Sequence, residues 1–247
     1  MLSNAWPFVP DLNSVAFLFD VDGTLLDLAP TPREVWVPPS LRESLLRLWD
    51  RAGAAVAFVS GRTLEELDLI FTPLQLAGVG GHGAEFRQTG TSPILRLAPE
   101  LDPQLKRHLA RIAELGPGIL LEDKGSSLAL HYRLVPDKGP AVEARVYEIC
   151  AKEPLGTIEI LPGKPVIEVK RVGFNKGMGV RKLMSHEPFA GRRPLFFGDD
   201  VTDEHVFSIL PEFSGSGFSV GQKVVGTDGN FASAADVRHW LETLGLP

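Results

Sequence analysis

The chain has 247 residues, 44% of them hydrophobic and 23% charged, enough for one large domain or a core with a smaller companion and too apolar for a disordered polypeptide. Its apolar runs fall far short of the roughly 20 residues of a membrane span, and its start lacks a cationic patch followed by an apolar stretch, so neither a membrane anchor nor a secretion signal is expected. The net charge of −6 comes without the basic stripe of a nucleic-acid binder, and the single cysteine, Cys150, excludes an internal disulfide or a multi-cysteine zinc site and points to the cytoplasm.

Val15-Ala-Phe-Leu-Phe19 is a continuous apolar run ending at Asp20, the pattern of a strand buried on both faces of a parallel sheet. Residues 39–52 predict a helix with Leu41, Leu45, Leu48 and Trp49 on one face and Gly53 as its stop. A second buried strand, 54–59, leads into Ser60-Gly61-Arg62 and a helix from Thr63, and a third step ends near 78–83. The same grammar returns downstream: a helix from Lys176, a strand at 195–197, a helix from Thr202, a strand at 217–220 and a final helix around 232–244. Such alternation predicts a doubly wound α/β core with a parallel sheet.

Residues 89–171 differ, and divide the core into 1–88 and 172–247. Strands at 93–97, 119–123, 127–133, 157–161 and 165–170 and helices at 102–115 and 139–153 are expected there. The later strands alternate: Leu128, Leu130 and Tyr132 oppose Ser127, His131 and Arg133, and Ile167 and Val169 oppose Glu168 and Lys170. Alternation implies a small α/β cap whose sheet is covered on one face and polar on the other.

The strongest chemical signal is Asp20-Val21-Asp22-Gly23-Thr24, two carboxylates directly after a buried strand, at the sheet edge where open α/β folds bind ligands. Two such acids repel unless a cation lies between them, and hard oxygen ligands without a histidine or cysteine cluster make Mg²⁺ the expected ion. The competing reading is an acidic Asp-Gly turn. A second cluster, Gly198-Asp199-Asp200-Val201-Thr202-Asp203-Glu204, ends another buried strand; the later acids also suit a helix start, with Thr202 as its cap. Ser60 opens a helix where its hydroxyl and nearby amides suit a phosphate oxygen. Lys176 could supply the positive partner that a phosphoryl site rich in carboxylates needs.

Gly78-Val-Gly80-Gly-His-Gly83 matches a dinucleotide fingerprint in letters alone, because no helical periodicity follows it. The six histidines show no metal-binding spacing, and neither a P-loop nor a G-x-S-x-G element occurs. His82 and His131 fall near the expected cleft.

In the order DVDGTL, VSGR, NKG and GDDVTDE, these segments resemble the four motifs of the haloacid dehalogenase superfamily of phosphotransferases. The segments at 81–85 (GHGAE), 122–133 (EDKGSSLALHYR) and 162–170 (PGKPVIEVK) are similar to those of trehalose-6-phosphate phosphatases, a likeness running from about residue 15 to the end. One departure is Gly80-Gly81, where a bulkier residue is expected before His82. The resemblance implies Asp20 as nucleophile, forming an aspartyl-phosphate, and Asp22 as the acid that protonates the leaving sugar oxygen and then the base that activates water. It implies Mg²⁺ held by Asp20, Asp199 and the main-chain carbonyl of Asp22, with Ser60 and Lys176 on the phosphoryl oxygens and Asp200 or Asp203 orienting Lys176. Asp20, Val21 and Asp22 would contact substrate, and Glu122, Lys124, Arg133, Lys164 and Glu168 would bind sugar hydroxyls. Closure of the cap would exclude water, with hinges near 87–91 and 171–174, where Gly90 and Gly173 stand. The competing readings are a related sugar phosphatase or phosphomutase and, outside catalysis, a phospho-receiver switch. The expected partner is a small sugar phosphate, with no nucleic acid and no membrane.

Overall fold

The structure, a computed structural model, describes residues 11–29, 31, 34–163 and 165–244. It has two compact units: one joins the chain up to Leu28 with Val35–Leu97 and the part from Asn175 onward, and the other joins Ala29–Glu34 with Ala98–Phe174.

The larger unit begins with β1 (Val15–Phe19), α1 (Pro39–Arg51), β2 (Val56–Val59), α2 (Leu64–Phe71), β3 (Ala77–Gly80), β4 (Glu85–Arg87) and β5 (Leu95–Arg96). The smaller unit follows with α3 (Pro103–Ala110), β6 (Leu120–Asp123), β7 (Ser127–His131), α4 (Gly139–Cys150), β8 (Ile158–Pro162) and β9 (Val166–Arg171). The chain then returns to the larger unit through α5 (Lys176–Met184), β10 (Arg193–Gly198), α6 (Glu204–Phe207), β11 (Ser216–Val220), β12 (Gly229–Phe231) and α7 (Ala234–Leu244).

The larger sheet has the order β12-β11-β10-β1-β2-β3-β4-β5, parallel from β12 to β3. β1 is apolar at all five positions because both of its faces are covered. One face carries Leu41, Leu45 and Leu48 of α1 with Val237 and Leu241 of α7, and the other carries Val180, Leu183 and Met184 of α5. Phe197 stacks on Phe19 at 4.9 Å and also meets Trp240 at 5.0 Å and Phe218 at 5.1 Å. Winding from β1 to β3 proceeds outward on one side, whereas β10 and β11 lie on the other, so strand order reverses between β1 and β10. Ligands bind at such a switch point, beyond the carboxyl ends of the strands. The register sets Phe19 beside Phe197, so the chain leaves the sheet at Asp20 and, one residue beyond Gly198, at Asp199.

In the smaller unit the antiparallel order is β6-β7-β9-β8. Leu128, Leu130, Ile167 and Val169 pack with Leu105 and Leu109 of α3 and Val142 and Val146 of α4. On the opposite face, register sets Glu122 and Glu168 on either side of Ala129.

Several sequence expectations need correction. The strand expected at 93–97 is β5, and it pairs with β4 in the larger sheet. Gly90 packs against the core rather than at a hinge, since a Cβ there would lie 2.2 Å from the Gln75 carbonyl oxygen. The helix expected from Thr202 is a 3₁₀ turn, Val201–Asp203, followed by the short α6. The unexpected β12 has only three residues, two of them Gly229 and Asn230, which carry little strand signal. No helix among the described residues is long and apolar enough to cross a membrane.

Phe197→Ala is expected to cost about 3–5 kcal/mol in urea-induced unfolding, because a large buried aromatic leaves a cavity its neighbours cannot refill. A loss below about 1 kcal/mol would contradict this packing.

Candidate active site

Three carboxylates and one ammonium converge at the switch point. Asp20 enters from the end of β1, Asp199 and Asp203 from the turn after β10, and Lys176 from the first residue of α5. Lys176 Nζ donates to Asp20 Oδ1 and to Asp203 Oδ1, each at 2.7 Å, and all three residues are buried. The other Asp203 oxygen accepts the backbone N–H groups of Asp199 at 2.9 Å and Asp200 at 3.1 Å. Asp203 therefore ties the turn after β10 to the lysine. Gly198 makes this possible, because a Cβ there would lie 2.5 Å from the Asp203 carboxyl carbon.

One oxygen from each of Asp20, Asp199 and Asp203 lies within 4.8 Å of the others. Both Asp203 oxygens are already engaged, so Asp20 and Asp199 are the carboxylates with capacity for a cation. Thr24 Oγ1 reaches Asp199 Oδ1 at 3.5 Å. Gly23 has φ +84°, and a Cβ there would lie 2.0 Å from Asp199 Oδ2, so only glycine lets the loop after β1 approach this carboxylate.

The electrostatics show what this cluster lacks. Burial pushes Asp20 well above the ordinary carboxylate range; Lys176 opposes the shift, while Asp203 and Asp199 add to it. Asp199 is pushed up to about 7, first by burial and then by Asp203. Burial disfavours the charge on Lys176, but Asp20 and Asp203 outweigh it and raise the ammonium above the ordinary lysine value. Three carboxylates exceed one ammonium by two negative charges, which a hard, oxygen-preferring divalent cation would balance.

Asp22 occupies a different environment. Its carboxylate receives a two-pronged hydrogen bond from Arg62, Nε to Oδ2 at 2.6 Å and Nη2 to Oδ1 at 2.7 Å. Its carboxylate is therefore held by Arg62 and not by Lys176. Arg62 was not among the sequence-predicted site residues, although its place two residues after Ser60 at the same sheet edge was the available signal. Ser60 is buried, and its Oγ accepts the Arg62 N–H at 3.1 Å, leaving its own proton for another acceptor. The Val21 side chain belongs to the core, so only its main chain could meet a substrate. The Asp200 carboxylate caps Val201 N–H at 2.6 Å, and it is Asp203 that holds Lys176.

In the smaller unit, Lys124 Nζ lies 3.2 Å from Glu168 Oε2 and 3.9 Å from Glu122 Oε1. Ala129 pairs with both glutamates, and it and Glu168 are buried. His131 Nε2 lies 2.7 Å from Glu122 Oε2, a partner that strand alternation alone did not identify. Arg133 Nη1 donates to the Ala29 carbonyl oxygen at 2.8 Å. Lys164 lies outside the described residues.

Residues 18–239 match the sequence pattern of the family described as Trehalose-phosphatase. The chain is 38% identical over 239 residues, 96% of its length and 89% of the relative's, to a probable trehalose-phosphate phosphatase of Sinorhizobium fredii. It is 34% identical over 237 residues, 95% of its length and 88% of the relative's, to the trehalose-6-phosphate phosphatase of Escherichia coli K12. Its fold is similar to the C-terminal domain of Candida albicans trehalose-6-phosphate phosphatase, with a TM-score of 0.81 at 24% identity over 94% of this chain and 93% of that one. A doubly wound sheet with a buried acid–lysine cluster at its switch point, joined to these likenesses, identifies a phosphatase: the chain belongs to the trehalose-phosphatase family.

Proposed function

We propose that this enzyme hydrolyses trehalose 6-phosphate to trehalose and phosphate, with Mg²⁺, through an aspartyl-phosphate on Asp20. The observation that carries this reading is the Lys176–Asp20 contact of 2.7 Å in a buried site where carboxylates outnumber cations by two. The lysine aims one Asp20 oxygen and keeps positive charge beside the place where a phosphoryl group would arrive. Asp20 Oδ attacks phosphorus, the bond to the sugar oxygen breaks, and Asp22 gives that oxygen a proton; Asp22 then takes a proton from the water that cleaves the acyl phosphate. Arg62 orients the Asp22 carboxyl between these events. The Ser60 hydroxyl and Lys176 hold phosphoryl oxygens, and Asp203 keeps Lys176 in place. Asp20, Asp199 and the Asp22 carbonyl would hold Mg²⁺, whose charge would stabilise the transferring group.

The disaccharide is assigned to the polar face of the smaller sheet. Sugar hydroxyls donate and accept together, so they suit carboxylates interleaved with an ammonium, as in Glu122, Lys124 and Glu168, with Arg133 and Lys164 as further donors. The reaction is placed in the cytoplasm, where a buried free thiol such as Cys150 stays reduced.

Asp20→Asn is expected to abolish phosphate release while leaving the thermal unfolding midpoint within a few degrees; retained turnover would refute the nucleophile assignment. Glu168→Ala should lower kcat/KM for trehalose 6-phosphate by about tenfold or more while changing p-nitrophenyl phosphate hydrolysis by less than about threefold. Equal losses on both substrates would remove the sugar-binding role. With Asp199 near 7 when no cation is present, a proton competes with Mg²⁺ below that pH. Asp20 is raised as well, so calorimetric affinity should rise with pH through 7, with proton release; a pH-independent affinity would contradict the assignment.

A further inference from the structure

The glycine-rich stretch that imitates a dinucleotide fingerprint touches the Ser60 turn, the start of α2 and the residue before α5. Gly81 N–H donates to the Arg62 carbonyl oxygen at 2.8 Å, and His82 N–H donates to the Ser60 carbonyl oxygen at 3.1 Å. Between those two carbonyls the His82 ring covers Gly61, where a Cβ would lie 2.4 Å from His82 Nε2. To make these contacts His82 adopts the left-handed conformation, φ 53° and ψ 35°, flanked by Gly81 at φ 54° and Gly83 at φ 98°. A side chain other than glycine resists that conformation, so its surroundings must hold it there.

Three residues later the chain returns antiparallel, and Glu85 comes to lie opposite Gly80. The Glu85 side chain is buried, and its Oε2 accepts the N–H of Leu64, the first residue of α2, at 2.7 Å. Gly80 clears the path: a Cβ there would lie 2.9 Å from both Glu85 Oε2 and the Leu64 nitrogen. On its far side the stretch meets the segment that carries Lys176, because a Cβ on Gly83 would lie 2.2 Å from the Asn175 carbonyl oxygen. Asn175 in turn caps α5 by accepting Met178 N–H at 2.9 Å.

We propose that His82 and Glu85 are positioning residues, and that the segment Gly81–Glu85 is a brace fixing the Ser60–Arg62 turn relative to Lys176. Ser60 and Lys176 come from elements far apart in sequence, and both must meet one phosphoryl group. The brace joins them through backbone contacts: two hydrogen bonds to the Ser60 turn, one carboxylate bond to the start of α2, and one close approach to the residue before Lys176. Neither His82 nor Glu85 needs to touch substrate. The proposal rests on the phosphoryl-transfer reading given above.

Orthovanadate, a mimic of the five-coordinate phosphoryl group, provides a readout that partial unfolding alone would not move, because its inhibition constant is a property of each folded site. In the full-length protein with Mg²⁺, Glu85→Ala is expected to lower kcat/KM for trehalose 6-phosphate by about 10–100-fold and to raise the vanadate inhibition constant by a similar factor, as a sub-ångström displacement of a positioned group would. Glu85→Gln, whose amide oxygen can accept the same N–H, should restore both to within about threefold of wild type. His82→Asn tolerates the left-handed backbone but removes the ring from Gly61, and should also weaken vanadate inhibition by several-fold. A folded Glu85→Ala or His82→Asn protein with wild-type vanadate inhibition would overturn the brace, as would a glutamine variant that fails to restore it. If Glu85→Ala does not fold, the other two variants decide. A folded wild-type protein that releases no phosphate from trehalose 6-phosphate with Mg²⁺ would instead remove the phosphoryl-transfer reading, and the brace with it.

Discussion

Lys176 lies buried between two carboxylates, 2.7 Å from each, and much of the larger unit is arranged around keeping it there. A buried ammonium costs several kcal/mol unless its partners are close and well aligned. Alignment here requires three elements to converge. β1 delivers Asp20, the turn after β10 delivers Asp203, and the capped start of α5 delivers the lysine. The Phe19–Phe197 pairing sets the two strand ends level, and Asp203 is fixed from behind by two backbone N–H groups. Both Asp203 oxygens accept hydrogen bonds, while burial raises Asp20 and Asp199 above the ordinary carboxylate range.

The two units differ in how they handle charge. In the larger unit the acids outnumber the cation, an arrangement suited to a metal and a transferring anion. The polar face of the smaller sheet interleaves its charges, with Lys124 between Glu122 and Glu168 and Lys170 beside Glu159. A face of alternating donors and acceptors suits a neutral polyol better than a phosphate. Asp22 stands apart from both sets of charges, since Arg62 rather than another acid is its neighbour.

Much of the fold was legible because burial leaves a direct mark on sequence. The continuous run Val15–Phe19 marks a strand covered on both faces; in β9 Ile167 and Val169 alternate with Glu168 and Lys170, but all four are buried, so the alternation marks a polar face and not an uncovered one. The acids ending β1 and β10 stood out because carboxylates directly after buried strands are costly without a purpose. Less visible was anything decided by pairing across the chain. β5 has only two residues, both exposed, and its place beside β4 is set by hydrogen bonds rather than by pattern. Arg62 and Glu85 look like ordinary surface charges until Asp22 and the Leu64 N–H are brought to them. His82 resembled a cleft histidine, whereas the feature that distinguishes it is its left-handed backbone, which leaves no trace in residue type beyond the glycines on either side.

Under the proposed reading, the buried lysine holds the Asp20 carboxylate that receives phosphorus. Rapid quenching during turnover of trehalose 6-phosphate, followed by borohydride reduction and peptide mass spectrometry, tests this directly, since reduction of an acyl phosphate converts aspartate to homoserine. Conversion at residue 20 alone, lost when phosphate is allowed to depart, is expected. Turnover with residue 20 still aspartate, or conversion at Asp199 or Asp203 instead, would contradict it.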